Sequence, residues 1–157
     1  MLRALQILLE TKSVSIAAVD RLVLCHWFGA VDLGTVQGFG QAHRSYAARL
    51  GAKHILMTVV DVTRATAMDD DAKALSDEHL LAMAPHVAGV AQVVVGSGFR
   101  AAAARAIITG QHLVQRPPYA WKIFSDIDSC SAWVASRVDR EASAVRGAAD
   151  ALIARAG

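Results

Sequence analysis

The sequence has little of what usually announces a function. It holds three prolines and two cysteines, and aromatic residues make up 6% of it. Two cysteines without C-x-x-C spacing exclude a disulfide-stapled scaffold and a thiolate metal knuckle. Cys25 falls in a strand pattern and Cys130 in a helix pattern, which reads as reduced, buried thiols of a cytoplasmic protein, although spacing alone does not forbid a disulfide. Long apolar runs are also missing. The longest, Leu22–Leu24 with Cys25 and Val93–Val95, are strand-sized, whereas a spanning helix needs roughly 20 apolar residues. Met1–Glu10 carries one arginine and no small-residue cleavage site, so neither a membrane span nor a signal peptide is expected. No sign of charge dominates: the formal net charge is +2. The densest basic set, Arg137, Arg140, Arg146 and Arg155, is interleaved with Asp139, Glu141 and Asp150. That is a solvated helix face rather than a phosphate-tracking stripe, and it argues against nucleic-acid binding.

What the chain does have is alanine and periodicity. Its 157 residues, 54% hydrophobic, suffice for one domain with one core. Val14–Val19 and Leu22–Phe28 read as a β-hairpin turning at Asp20-Arg21. Gln6–Leu9 reads as an edge strand or a short helix. Asp32 is an N-cap candidate, and behind it Val36, Phe39, His43, Tyr46, Ala47 and Leu50 recur at helical spacing up to Gly51. Gly38 and Gly40 weaken that helix unless they permit close backbone packing. His54–Val62 is a strand covered on both faces. Asp69–Asp71 puts negative charge on the first turn of a helix with the stripe Leu75, His79, Leu80, Met83, ending near Pro85.

Ala91–Val95 predicts another buried strand. Gly96-Ser97-Gly98 turns into an alanine-rich helix from Phe99 to about Val114. After Pro117-Pro118 come a short strand, Trp121–Phe124, and a helix capped by Asp126 or Asp128 that carries Ile127, Cys130, Trp133 and Val134. The order β-β-α-β-α-β-α-β-α predicts an α/β domain with a central, mostly parallel sheet. The last segment carries an a/d seam of small residues, Val138, Ala142, Val145, Ala149, Leu152 and Ala156. It either packs on its own domain or forms a homodimer contact. The expected division is residues 1–136 as the domain and 137–157 as a C-terminal helical extension.

Three patches in this order carry a family resemblance. They are Val-Asp-Val-Thr followed by Asp-Asp-Asp-Ala-Lys-Ala-Leu, then Val-Val-Val-Gly-Ser-Gly-Phe, and then Trp-Lys-Ile-Phe-Ser-Asp-Ile-Asp-Ser-Cys-Ser-Ala-Trp-Val. Over about Val14–Ser136 the chain resembles the STAS fold of sulfate-transporter and anti-sigma-factor-antagonist domains, and more closely its SpoIIAA-like bacterial branch. The resemblance implies a sheet with helices packed mainly on one face and a non-catalytic regulatory domain that binds another protein, such as a kinase-like anti-sigma factor. No cofactor and no metal are expected.

The family's loop reads roughly Asp-Leu-Ser-x-Val-x-Phe-Met-Asp-Ser-Ser-Gly, with a phosphorylated serine in the Ser-Ser pair. Asp61, Val62, Thr63, Met68 and Asp69 match that pattern. Asp70 and Asp71 stand at the serine pair, and Ala72 replaces the glycine. Two carboxylates imitate the charge of a phosphoserine but not its geometry, so they either mimic a phosphorylated state or simply cap a helix. The resemblance thus makes Asp61, Thr63, Met68, Asp69, Asp70 and Asp71 the candidate partner-binding residues.

Other constellations are weaker. Gly96-Ser97-Gly98-Phe99-Arg100-Ala101 has the form G-x-G-x-x-A, but it follows a late strand, Phe99 crowds the approach, and no acidic residue stands at the required spacing. A tight structural turn, or a weak phosphate or nucleotide contact helped by Arg100 or Arg105, fits it better. The six histidines show no metal-ligand spacing. Ser97 lies in no nucleophile elbow, and Cys25 and His26 point to opposite faces of one strand. Trp121 and Trp133 read as core packing at a sheet edge, or as ligand-lining. The alternative function class is a small-molecule domain for lipid or nucleotide, with a pocket near Gly96–Arg105. Enzymatic activity is not expected, for want of convergent titratable groups.

Overall fold

The computed structural model describes residues 3–156; residues 1, 2 and 157, which the expected domain bounds include, lie outside it. Six strands form one sheet in the order β1-β2-β3-β4-β5-β6. β1 (Gln6–Glu10), β2 (Val14–Val19) and β3 (Leu22–Trp27) run antiparallel. β4 (His54–Asp61), β5 (Val87–Val95) and β6 (Ala120–Phe124) then add in parallel. Five α-helices connect or follow them among the described residues: α1 (Leu33–Leu50), α2 (Asp70–Met83), α3 (Gly98–Gln115), α4 (Ile127–Val138) and α5 (Ala142–Ala154). The hairpin turns at Asp20, whose φ of 49° is left-handed. The ambiguous N-terminal segment is a strand because it completes the edge beside β2.

The caps fall where polar side chains meet unpaired helix amides. Asp32 accepts from the amide of Thr35, Asp69 from that of Ala72, and Asp126, rather than Asp128, from that of Ser129. β5 starts four residues earlier than Ala91, at Val87, directly after a 3-10 turn at Ala84–His86. Pairing with β4 on one side and β6 on the other extends it through Gly89.

The helices divide between the two faces of the sheet. α1 and α2 cover Val14, Ile16, Val23, Cys25, Leu56 and Val90, and α3 lies over the same face at Val94 and Ile123. α4 and α5 cover the other face, over Ala17, Leu24, Met57 and Val93. Three helices therefore share the face that the resemblance implied, and two close the back. Cys25 and Cys130 belong to opposite faces and are free thiols. Burial pushes the Cys130 thiol up to about 12, so it stays protonated. Trp121 and Trp133 likewise separate: Trp121 belongs to the α1–α3 side, while Trp133 packs on Phe124 at the back.

The C-terminal seam is not one continuous helix. Asp139, with φ 54°, ends α4, and α5 starts at Ala142. Val145, Ala149 and Leu152 are 0–2% exposed and belong to the back-face core. The inward positions of the seam are thus occupied within the chain and are not available to a partner copy.

A chain of three buried histidines holds α1, α2 and β4 together. His43 Nδ1 lies 2.9 Å from His79 Nε2, and His43 Nε2 lies 2.6 Å from His54 Nε2. Gly40 makes room for it, because a Cβ there would stand 3.2 Å from the His79 ring. Arg44, 3.3 Å from His79 Nδ1, can only donate. His79 therefore donates through Nε2–H to His43, and His43 donates through Nε2–H to His54. His54 Nδ1–H is left without a partner. Burial holds His43 down to about 2, with further depression from the charges of His54 and His79. Burial also lowers His54 and His79 to about 4, aided by His86 and by Arg44 respectively.

Two predictions follow from this packing. Truncation after Ser136 uncovers the back-face core and yields an unfolded or aggregated chain, and Leu152→Ala lowers stability by about 2–5 kcal/mol; both are read by urea unfolding and size-exclusion chromatography. The histidine chain also makes the fold acid-labile. Unfolded histidines take up protons near pH 6.5, but His54 and His79 in the folded chain do so only near about 4. The unfolded state binds more protons between those values, so stability falls as pH drops through that window. Urea midpoints that stay flat from about pH 7 to about pH 4.5 would contradict this.

Candidate functional site

The α1–α3 face of the sheet is incompletely filled. Leu56, Thr58 and Val60 of β4 and Val90 and Gln92 of β5 lie on it. α3 reaches the sheet through a small cluster, Ala101, Ala104 and Ile108 against Val62, Val94 and Ile123, and Ala101 is the one residue of the helix that is fully buried. The rest of α3 stands off. A cavity of about 470 Å³ remains between helix and sheet, within the range of sites for small organic ligands. Val36 and Phe39 of α1 form one wall, and Ala104, Ile107 and Ile108 of α3 form the opposite one. Tyr119 and Trp121 close the sheet edge, and the loop Ala65–Met68 closes the front.

The floor is apolar except for two side chains that the strand register places side by side, Thr58 and Gln92. Thr58 is 5% exposed, and its hydroxyl has no partner. A buried polar group in that state costs about 1–3 kcal/mol unless something satisfies it. Gln92 accepts a hydrogen bond from the Trp121 indole N–H, and the indole stacks on His112 at 5.1 Å. Burial raises the Tyr119 phenol, which keeps it neutral. Among the lining residues the formal charges are Lys73, Asp77 and Arg100. Lys73 and Asp77 pair with each other at 3.1 Å, and Gln115 also donates to Asp77. The site offers an apolar volume with neutral hydrogen-bonding groups at its base and no nucleophile–base pair.

The loop residues singled out by the resemblance divide by role. Asp61 accepts from the Thr63 amide at 3.0 Å and from its hydroxyl at 2.7 Å, which fixes the turn leaving β4. Met68 lines the cavity. Asp69 is the N-cap of α2. Asp70 and Asp71 lie exposed in the first turn of that helix. The loop thus presents its carboxylates to solvent and its apolar side chains, Val62, Ala65 and Met68, to the cavity.

The second candidate set is mainly structural. Gly96, at φ 131°, lets β5 approach the loop, because a Cβ there would stand 2.8 Å from a Val62 methyl. Ser97 precedes α3 without a capping hydrogen bond, and Gly98 opens onto empty space. None of these three lines the cavity, whereas Arg100 does. Arg105 donates to the carbonyl of Val94 at 3.0 Å and pins α3 to the end of β5.

Sequence reasoning did not find Thr58 or Gln92, and its pocket near Gly96–Arg105 covers only the first part of the α3 wall, which runs from Phe99 to Gln111. Two signals were present: polar residues inside apolar strands, and a helix with too many apolar residues for one face. The three histidines that do converge sit at hydrogen-bond distances. The 2.6 Å separation of two ring nitrogens is shorter than the roughly 3.3 Å between ligands sharing a tetrahedral zinc. Among the described residues no group of three or more His, Cys, Asp or Glu is arranged to hold a metal ion, and no helix is long and apolar enough to cross a membrane.

No family model and no curated protein matches the chain. Among solved structures it is similar to an uncharacterized DUF3478-family protein of Shewanella loihica with a SpoIIAA-like fold. The two share 13% identity at a TM-score of 0.57, over 84% of this chain and 96% of the other. At that identity the likeness concerns architecture. The chain has a SpoIIAA-like, mixed α/β fold with a mostly parallel six-stranded sheet.

Proposed function

We propose that this protein is a non-catalytic binding domain whose ligand is a neutral, largely apolar small molecule held between the sheet and α3. The observation that carries this reading is the cavity of about 470 Å³, apolar on its walls and without an ionised group at its floor. The unpartnered hydroxyl of Thr58 narrows the class to molecules with one hydrogen-bonding group at the inner end, such as a carbonyl, ether or hydroxyl. The charged groups on the lining belong to α2 and the first turn of α3. A nucleotide, with its phosphates, finds no cationic floor to receive it.

A second reading keeps the loop as a protein-binding surface, with a kinase-like or other signalling protein as the partner. What favours it is that Val62 and Ala65–Met68 line the cavity while the adjoining Asp70 and Asp71 face solvent. One segment therefore touches both the ligand volume and the surface, and occupancy would reach a partner through it. In this reading Asp70→Ser with Asp71→Ser leaves the fold intact and abolishes capture of the partner; unchanged capture removes the two aspartates from recognition.

Nile red, a neutral apolar dye with a carbonyl group, tests the cavity directly. The wild-type chain binds it saturably at one dye per chain. Ala104→Trp, on the sheet-facing side of α3 that lines the cavity, weakens binding by about tenfold by filling the volume. Thr58→Val weakens it by about fivefold, the worth of one neutral hydrogen bond. Failure of the dye to bind, or full binding by Ala104→Trp, would refute the cavity as the site.

A further inference from the structure

α3 is apolar on the side it turns to solvent as well as on the side it turns to the cavity. Ala101, Ala104 and Ile108 face the sheet. On the opposite arc Leu113 and Val114 are 69% and 84% exposed, with the exposed Ala102, Ala106 and Gly110 beside them, and Phe99, 88% exposed, starts the arc where it also borders the mouth of the cavity. At about 100° per residue these positions form one stripe. A helix on the surface of a water-soluble domain places its charges there, yet this stripe carries none.

Every full charge on α3 and its C-cap is positive. Arg100, Arg105 and Arg116 are present, and no Asp or Glu occurs between Gly98 and Arg116. Arg105 is held by the carbonyls of Val94 and Gly96. Arg100 and Arg116 are exposed at the two ends of the stripe. Leu81 of α2, 78% exposed, borders a surface groove with Arg116 and Pro117. Asp77 and Glu78 of α2 border the same groove, and Asp77 is already engaged by Lys73 and Gln115.

An apolar stripe with exposed arginines at its ends is the composition of a helix that lies in a membrane interface. We infer that the outer face of α3 docks on a lipid bilayer that carries anionic headgroups. Phe99, Leu113 and Val114 enter the boundary between headgroups and acyl chains, and Arg100 and Arg116 meet lipid phosphates. Charge favours lipid over a second copy of the chain. A two-fold contact would bring identical patches together, setting arginine-bearing helices against each other with no carboxylate on either one. Phe99 and Arg100 also border the cavity, whereas Leu113, Val114 and Arg116 do not, so these three separate the outer face from whatever fills the cavity.

Vesicle flotation tests it, comparing phosphatidylcholine mixed with phosphatidylglycerol against phosphatidylcholine alone. The chain floats with the mixed vesicles only, and the bound fraction falls as salt rises. Leu113→Asp with Val114→Asp weakens binding by about tenfold or more. Arg116→Ala weakens it by about fivefold, the worth of one arginine near an anionic surface. All three side chains are exposed and outside the cavity lining, so the thermal midpoint stays unchanged and confirms folding. No flotation with mixed vesicles at low salt, or flotation that both variants retain, overturns the inference. A dimer in solution that Leu113→Asp with Val114→Asp disperses, in a chain that does not float, also overturns it and assigns the stripe to a second copy.

Discussion

β3, β4 and β5 lie in the middle of the sheet, and their side chains must be kept from water on both faces at once. Alternate residues of each strand point in opposite directions, so the molecule needs two independent covers. α4 and α5 supply one over Met57 and Val93, and α1 with α2 supplies most of the other over Leu56 and Val90. The continuous apolar runs of the central strands follow from this demand, as does the burial of α5, whose inward residues have no free face to offer.

The second cover is incomplete at one end of the sheet, and the binding features collect there. α3 reaches β5 through alanines and one isoleucine, residues too small to fill the depth between helix and sheet. The shortfall leaves an apolar volume bounded by the loop that follows β4. The polar floor of this volume is a product of register, since β4 and β5 align Thr58 with Gln92. A helix that closes a cavity with one face and presents an apolar stripe with the other stands between two apolar environments, and this accounts for its composition.

The opposite end of the same face is closed by polar contacts. His43, His54 and His79 bridge α1, α2 and β4 through ring nitrogens. They take the place of aliphatic packing where Gly40 brings α1 close to α2. Each ring must stay neutral for its neighbour's donor to find an acceptor. The chain thus joins the rigidity of this corner to its protonation state, while Phe39, packed on both His43 and His79, also lines the cavity.

Much of the fold was legible because it is written in local chemistry. Asp32, Asp69 and Asp126 mark helix starts, Gly51 marks a helix end, and the runs at β2 to β5 have strand length and two-sided apolarity. These signals depend on a residue and its near neighbours, and periodicity assigns each side chain to a face of its own element. They leave undecided which element covers that face, and how closely. Tertiary structure alone decided that α3 stands off the sheet, that Thr58 and Gln92 meet across two strands, that Trp121 and Trp133 lie on opposite sides, and that three histidines separated by as many as 36 positions touch. The sequence by itself determined the elements and their order. The cavity and the histidine chain are set by distances between elements, which depend on the summed sizes of side chains contributed from several places in the chain.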